Sequence, residues 1–317
     1  MTPRSPAQPF EPAKADSPAP TLRRDHPARG IALILVSAVF LSCSDVTAKY
    51  LAGSLPAIEI ASIRYSVFFL ILLPAILRKG PARALSSARP GLQVFRALGL
   101  VGSSILFISS LSYLPIAEAT ATSFAAPLII TVLSIPILGE TVGPRRWAAT
   151  AVGLIGVLIV VRPGTSAFQP ASLLPLLAAL SWASAVVVTR RTSAADSALT
   201  TLAYSAIIGT LVLAALLPFV WVVPDWRALA FGVLIGCAAT AGHWLIVLAF
   251  RYGDASVLAP FTYTQLVWST LLGILLFGAV PDRWTIVGAG VIVASALYTA
   301  HRERVRAKRR RAPMSNA

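Results

Sequence analysis

Seven ionisable side chains fall inside or at the ends of long apolar stretches: Asp45, Lys49, Glu59, Arg64, Glu118, Glu140 and His243. A charge carried into hydrocarbon costs about 2.5–3.5 kcal/mol, so each needs a partner or a function. Asp45 lies about six residues from the far end of the stretch 30–51, roughly 9 Å below that surface at 1.5 Å per residue. Arg64 lies about seven residues into the returning stretch 57–77, roughly 10 Å down. At matching depth the two can meet. They either neutralise each other or hold polar groups of a ligand. Lys49 stands four residues beyond Asp45, the spacing of a same-face ion pair. Glu118 opens a later stretch near the same surface. Together with His243, whose ring titrates near neutrality, it is a candidate for proton coupling. A lone histidine in a span is more often a packed, hydrogen-bonded one, and that reading is preferred for His243. Glu140, beside Arg145 and Arg146, reads as a solvated ion pair at a turn.

Near mid-depth the sequence places Trp182, Phe124 with Pro127, and Tyr263 with Gln265 and Trp268. Such aromatics can stack on a flat ligand or simply pack. Pro127 and Pro260 interrupt corresponding stretches, and interrupted helices free backbone groups for binding. Sets that would make an enzyme are missing. Cys43 and Cys237 are far apart, and His26, His243 and His301 form no cluster. There is no phosphate-binding lysine loop, no G-x-S-x-G elbow and no H-E-x-x-H. No cofactor and no metal site are expected.

The elements that carry these residues are dictated by composition. Apolar residues make up 56% of 317 and charged residues only 12%, against roughly 25% charged in a soluble domain. With a mean hydropathy of +0.77, the chain cannot coat a globule of this size. Ten spans are expected: 30–51, 57–77, 93–112, 117–138, 146–161, 171–189, 198–221, 228–249, 255–279 and 284–300. Most reach the roughly 20 residues that cross a 30 Å hydrocarbon layer, and backbone satisfaction in lipid makes them helices. The fold class is therefore an all-α integral membrane protein with the lipid bilayer as its solvent. Residues 1–29, rich in Pro and Ala, read as a disordered tail without the features of a signal peptide.

Net charge +15 invites a nucleic-acid partner, but the placement of the charge argues against one. Twenty-two of the 27 Lys and Arg residues fall on one side of the ten-span map, with only Arg162, Arg227 and Arg283 on the other. The asymmetry places both termini in the cytoplasm. The basic tail 301–317 then anchors its end and attracts anionic lipid. Arginine outnumbers lysine 23 to 4, a bias of GC-rich genomes that suggests a bacterial inner membrane. Trp221, Trp226 and Trp284 at span ends read as interfacial anchors, and Gly232, Gly236, Gly153 and Gly156 as close helix contacts.

The chain also matches itself. Leu111-Ser-Tyr113 through Arg146-Trp147 resembles Phe250-Arg-Tyr252 through Arg283-Trp284, at separations of 137 to 139 residues. Each copy holds five spans, and an odd number forces the copies into opposite orientations across the membrane. The boundaries expected are 30–164 and 165–300.

With these stretches in view, the chain resembles the EamA-type branch of the drug/metabolite transporter superfamily over about residues 30–300. The resemblance rests on Tyr113-Leu-Pro-Ile-Ala-Glu118-Ala, Phe124-Ala-Ala-Pro127-Leu, Leu138-Gly139-Glu140, and Gly153-Leu-Ile-Gly156-Val into Arg162-Pro-Gly164. The second half contributes His243-Trp244, Ala249-Phe-Arg-Tyr252-Gly, Ala259-Pro260-Phe-Thr-Tyr263, and Phe277-Gly278 through Pro281-Asp-Arg-Trp284. Where many relatives carry Gly-Glu after the ninth span, this chain has Gly278-Ala279. A role for Glu140 therefore does not carry into the second half. The resemblance implies a ten-helix secondary carrier that moves a small polar, amino-acid-like metabolite by alternating access. Uptake of riboflavin or S-adenosylmethionine is the alternative, and a non-transporting scaffold or sensor the reading outside the class. The expected partners are a small-molecule substrate and either a coupling proton or an exchanged solute; a homodimer is compatible with all of this.

Overall fold

A computed structural model describes residues 27–139, 143–165, 168–192, 195–249, 252, 258 and 261–311. Glu140, Pro260, most of the N-terminal tail and residues 312–317 lie outside that set, as do the side chains of Arg145 and Arg146. Regular structure among the described residues is helical. The helices are α1 (Pro27–Leu51), α2 (Ala57–Lys79), α3 (Pro81–Ala84), α4 (Pro90–Leu111), α5 (Ile116–Ser123), α6 (Ala126–Leu138), α7 (Pro144–Val161), α8 (Leu173–Thr192), α9 (Ala198–Leu216), α10 (Trp226–Ala249), α11 (Thr264–Phe277) and α12 (Arg283–Arg311). Short 3-10 turns at Pro170–Ser172 and Leu217–Phe219 flank α8 and α9.

Seven of these segments are long and apolar enough to cross a membrane, and three shorter apolar helices, Trp147–Val161, Thr264–Phe277 and Arg283–Thr299, occupy the places of the fifth, ninth and tenth expected spans. Three details differ from the sequence expectation. The fourth span is two helices, α5 and α6, parted by a turn at Phe124 and Ala125. The segment after α2 folds into the single turn of α3. The last helix does not stop at the membrane boundary but runs on through Arg311, because nothing in 300–311 breaks a helix: the stretch holds neither Gly nor Pro.

The helix ends are cut by recognisable chemistry. Pro90 and Pro144 open α4 and α7 from the first turn, where a missing N–H costs nothing. Ser197 caps α9 by accepting from the Thr200 N–H at 3.1 Å. Asp225 and Asp282 do the same for α10 and α12, accepting from Ala228 N and Thr285 N at 2.7 Å. Helices α6 and α11 both end on a glycine in the left-handed region, Gly139 at φ 69° and Gly278 at φ 63°. That conformation is open to glycine at little cost.

Helix packing repeats between the two halves of the chain. Helix α1 lies along α10 as α8 lies along α4. Helix α11 lies on α1 as α6 lies on α8, and α2 on α10 as α9 on α4. Helices α2 and α9 pack on each other, as do α7 and α12. The glycines sit where these pairs come closest. A side chain at Gly156 would strike the Gly288 carbonyl and Ile292, one at Gly153 would strike Leu128 and Ser295, and Gly232 and Gly236 admit Ile63 and Val67 of α2. All four are spent on contacts within this chain. The largest buried cluster joins Val46, Leu51, Ile60, Ile108, Leu111, Leu114, Ile116, Leu213 and Ile235, drawn from both halves.

Candidate functional site

Asp45 sits on α1, facing the start of α11. Gln265, in the first turn of α11, donates its Nε2 to Asp45 Oδ2 at 3.0 Å. One turn away, the fully buried Ser42 meets Ser269 at 3.2 Å and the Gln265 carbonyl at 3.1 Å. The carboxylate thus lies at the N-terminal end of a half-length helix, where the dipole favours a negative charge. Lys49 does not pair with it. Its ammonium donates to the carbonyls of Leu111 and Leu114 at 3.0 and 2.8 Å and stands 5.7 Å over the Phe277 ring. The carbonyls at the end of α4 have no helical partner of their own, and they draw the lysine away from Asp45.

Arg64 of α2 lies close enough for its charge to act on both Asp45 and His243. Among the described residues it forms no ion pair and no hydrogen bond. It is half-buried and offers a free planar fork of donors. His243 of α10 stacks on Trp182 of α8, with ring centroids 6.0 Å apart and planes 22° from parallel. Phe124, in the turn between α5 and α6, and Tyr263, at the N-terminal end of α11, differ by 139 in number and touch each other at 4.9 Å between centroids. Tyr263 is two residues from Gln265. The ends of α5 and α11 therefore meet at a pair of aromatic rings; two residues on from Tyr263, Gln265 holds Asp45, and the Arg64 charge reaches both Asp45 and the imidazole stacked on Trp182.

The other candidates fall elsewhere. Pro127 is the second residue of α6, exposed, just past the break. Trp268 is exposed on α11 one turn beyond Gln265. Glu118 accepts from Ser172 at 3.1 Å and lies within range of the Arg162–Asp282 ion pair, which closes at 2.6 Å. These four tie the ends of α5, α7, α8 and α12 together on the face opposite the basic loops. Burial alone would raise the Asp282 carboxyl, but hydrogen bonds from Thr285 and the Arg162 guanidinium outweigh it and hold it below the usual range. Glu59 is fully buried and accepts from Val222 N at 3.1 Å, a tie between α2 and the segment after α9.

Two residues of α4 escaped the sequence reading. Arg96, counted there with the loop charges, is buried inside α4. It donates to Thr189 Oγ1 at 2.6 Å, Ser205 Oγ at 2.6 Å and the Thr201 carbonyl at 3.1 Å. Gln93, one turn earlier, is also buried and bridges Asp196 and Thr201. Asp196 in turn accepts from Ser87 Oγ at 2.6 Å and Ala88 N at 2.9 Å. Hydrogen bonds from Gln93 first, then Ser87, hold its carboxyl below the ordinary range. The signal lay in the start of α4: Pro90 at the first turn puts Arg96 nearly two turns into the helix.

These helices make the chain a multi-pass α-helical membrane protein. The model of the EamA-like transporter family matches it twice, over residues 28–162 and 169–300. The chain belongs to the EamA-like transporter family, and is a membrane transporter rather than an enzyme. It is 32% identical over 275 residues to an S-adenosylmethionine uptake transporter of Rickettsia prowazekii, covering 87% of this chain and 93% of that one. It is 30% identical to a riboflavin transporter of Vibrio cholerae, covering 91% and 98%. A solved crystal structure, 22% identical, superposes with a TM-score of 0.61 over 87% of this chain and 98% of its own, which supports the fold.

Proposed function

We propose that this chain is a ten-helix alternating-access carrier taking up a small zwitterion that bears a flat heteroaromatic ring, of the class of S-adenosylmethionine. The observation that carries the reading is the Asp45–Gln265 contact, placed beside the Phe124–Tyr263 rings with Arg64 left unpaired. Asp45 supplies a carboxylate for an ammonium or sulfonium group. Arg64 supplies a bidentate fork for a carboxylate. The aromatic pair offers faces to a ring and to a cation. The named activity of the rickettsial relative supports the same substrate class. The halves are 30–164 and 165–300, in opposite orientations, with both termini on the cytoplasmic side of a bacterial inner membrane. The paired helix contacts of the two halves support that division. A proton or a counter-transported solute drives the cycle.

Riboflavin is the second reading, favoured by the aromatic pair and by the relative from Vibrio cholerae. The two separate in one experiment. Cells expressing the chain are compared with empty-vector cells for uptake of labelled S-adenosylmethionine and of labelled riboflavin. Unlabelled S-adenosylhomocysteine and methionine serve as competitors. Expression-dependent uptake of S-adenosylmethionine, blocked by S-adenosylhomocysteine more than by methionine, is the expected result. Uptake of riboflavin alone would move the assignment to the flavin. Uptake of neither, with the protein in the membrane, would overturn both.

A further inference from the structure

Hydroxyls buried in these helices generally bond back to the carbonyl one turn earlier. Ser62 does so to Ile58, Thr131 to Pro127, Thr189 to Ala185 and Thr240 to Gly236, at 2.7 to 3.1 Å. The last turn of α5 departs from this rule. Thr120, Thr122 and Ser123 all carry hydroxyl oxygens that are shut off from solvent and have no hydrogen-bond partner among the described residues. Thr120 is only 3% exposed. A buried unpaired polar group costs about 1–3 kcal/mol, so three of them within four residues of a helix break call for an explanation.

Position supplies it. Thr120 stands one helical turn before Phe124, on the same face, and its carbonyl accepts the Phe124 N–H at 3.1 Å. Ser123 is adjacent to Phe124. That face leads to the Phe124–Tyr263 contact and, two residues on, to Gln265 and Asp45. Thr122 falls on the other side of the helix and is not part of the argument. We infer that Thr120 and Ser123 form a hydroxyl-recognising subsite, binding the sugar-like portion of the substrate while the neighbouring rings take its heteroaromatic portion. The inference rests on the transport reading above and narrows it. S-adenosylmethionine and riboflavin differ in charge and ring system, but both join a flat heterocycle to a five-carbon unit bearing hydroxyls. A subsite of orphaned hydroxyls beside two aromatic rings recognises what the two molecules share. Each threonine or serine oxygen can donate one hydrogen bond and accept others, which matches groups that do the same.

The test uses the full-length protein in cells, with Thr120→Val and Ser123→Ala. Valine keeps the shape of threonine and removes only the hydroxyl. Because that hydroxyl has no partner among the described residues, Thr120→Val should reach the membrane at wild-type level and melt at the same temperature or higher. Uptake is measured for S-adenosylmethionine and for its 2′,3′-dideoxyribose analogue; if the chain proves to take riboflavin, the pair is riboflavin and lumiflavin, which lacks the hydroxylated side chain. Wild type should prefer the hydroxylated member. The variants should reduce that preference by about threefold to tenfold, the worth of one net hydrogen bond, with most of the loss falling on the hydroxylated substrate. An unchanged preference in both variants overturns the inference and leaves the transport reading standing. Equal loss for both members, together with a lower melting temperature, makes the hydroxyls architectural and overturns it as well. Wild-type uptake of neither substrate removes the transport reading, and the subsite with it.

Discussion

At the residue scale, the distinguishing feature is a carboxylate and a guanidinium held near each other without touching. Asp45 is engaged by a neutral amide, Gln265. A side chain whose only task was to neutralise Arg64 would close on it, as Arg162 closes on Asp282 at 2.6 Å. If the two charges served only each other, removing one would strand the other, and removing both would relieve the strain. If they hold the substrate's ionic groups, the double neutral variant loses binding whatever its folding does. Asp45→Asn with Arg64→Gln is therefore expected to insert normally and to fail in uptake, with flux normalised to membrane-inserted protein and compared with each single variant. Flux near wild type in the double variant would reduce the pair to architecture. Asp45, Arg64, His243, Phe124, Trp182, Tyr263 and Gln265 were legible in the sequence because polar or aromatic groups at mid-depth in apolar runs are conspicuous. Their partners were not. Lys49 satisfies the local rule for pairing with Asp45, yet unmet carbonyls at the end of α4 lie nearer, and no one-dimensional spacing reveals them. Thr120 and Ser123 were invisible for a different reason: hydroxyls are common in helices, and only the absence of a partner together with their place beside Phe124 marks these two.

At the element scale, the basic face is held by a connected polar network rather than by apolar packing alone. Asp196, in the turn between α8 and α9, gathers Ser87, Ala88 and Gln93, and Lys79 reaches Ser197 at 3.0 Å. Arg96 continues the ties from α4 into α8 and α9. The Asp196 carboxyl titrates lower in the folded protein than in the unfolded chain. Its contribution to stability is therefore full above the unfolded value of about 3.9 and is lost as pH falls through the lower folded value. Asp196→Asn should lower stability by up to about 1 kcal/mol at pH 7, because solvent screens this partly exposed carboxylate, read as a lower melting temperature in detergent. The difference from wild type should shrink only below about pH 4. A gap that vanished already at pH 6 would show that the charge on Asp196 is not what holds this joint. The seam between α7 and α12 makes the complementary point. Gly156→Val would press a branched side chain into the Gly288 carbonyl and Ile292, and overpacking of this kind costs about 1–3 kcal/mol or more. Reduced membrane yield with no change in substrate preference is expected. All-helical structure followed from hydropathy, since lipid leaves the backbone few choices; of the ten expected spans, seven coincide with helices long and apolar enough to cross a membrane and three with shorter apolar helices. The break at Phe124 was legible only as a proline nearby, and the extension of α12 through Arg311 was not legible at all, because charge density suggested a tail where helix propensity continued the helix.

At the scale of the whole molecule, the helix contacts of one half recur in the other, as the alternating-access reading proposed above requires. The α4–α8–α9 packing has its counterpart in α10–α1–α2, but the chemistry of the two interfaces differs. The first carries Arg96, Gln93, Thr189, Thr201 and Ser205. The second buries mostly apolar side chains, Ala48, Ile60 and Ile235, with the hydroxyl of Ser44 reaching the Ile235 carbonyl at 3.4 Å. A polar interface exchanges its hydrogen bonds for water at little net cost when it parts, whereas an apolar one loses about 25 cal/mol for each Å² exposed. The two interfaces are therefore expected to differ in how readily they open, and the polar one to open first in the absence of substrate. A substrate seated at the Phe124–Tyr263 rings, as proposed above, would touch one ring from each half and bias the choice between them. Single cysteines beside Pro127 and beside Tyr263, in a chain freed of Cys43 and Cys237, should react with a water-soluble maleimide at rates that change when transported substrate is added. A third cysteine at Thr201 should label before one at Ile60 in substrate-free membranes. Rates that stay constant under a substrate whose uptake has been verified would favour a static pathway. Faster labelling at Ile60 than at Thr201 would place the readier opening on the apolar side and sink the asymmetry.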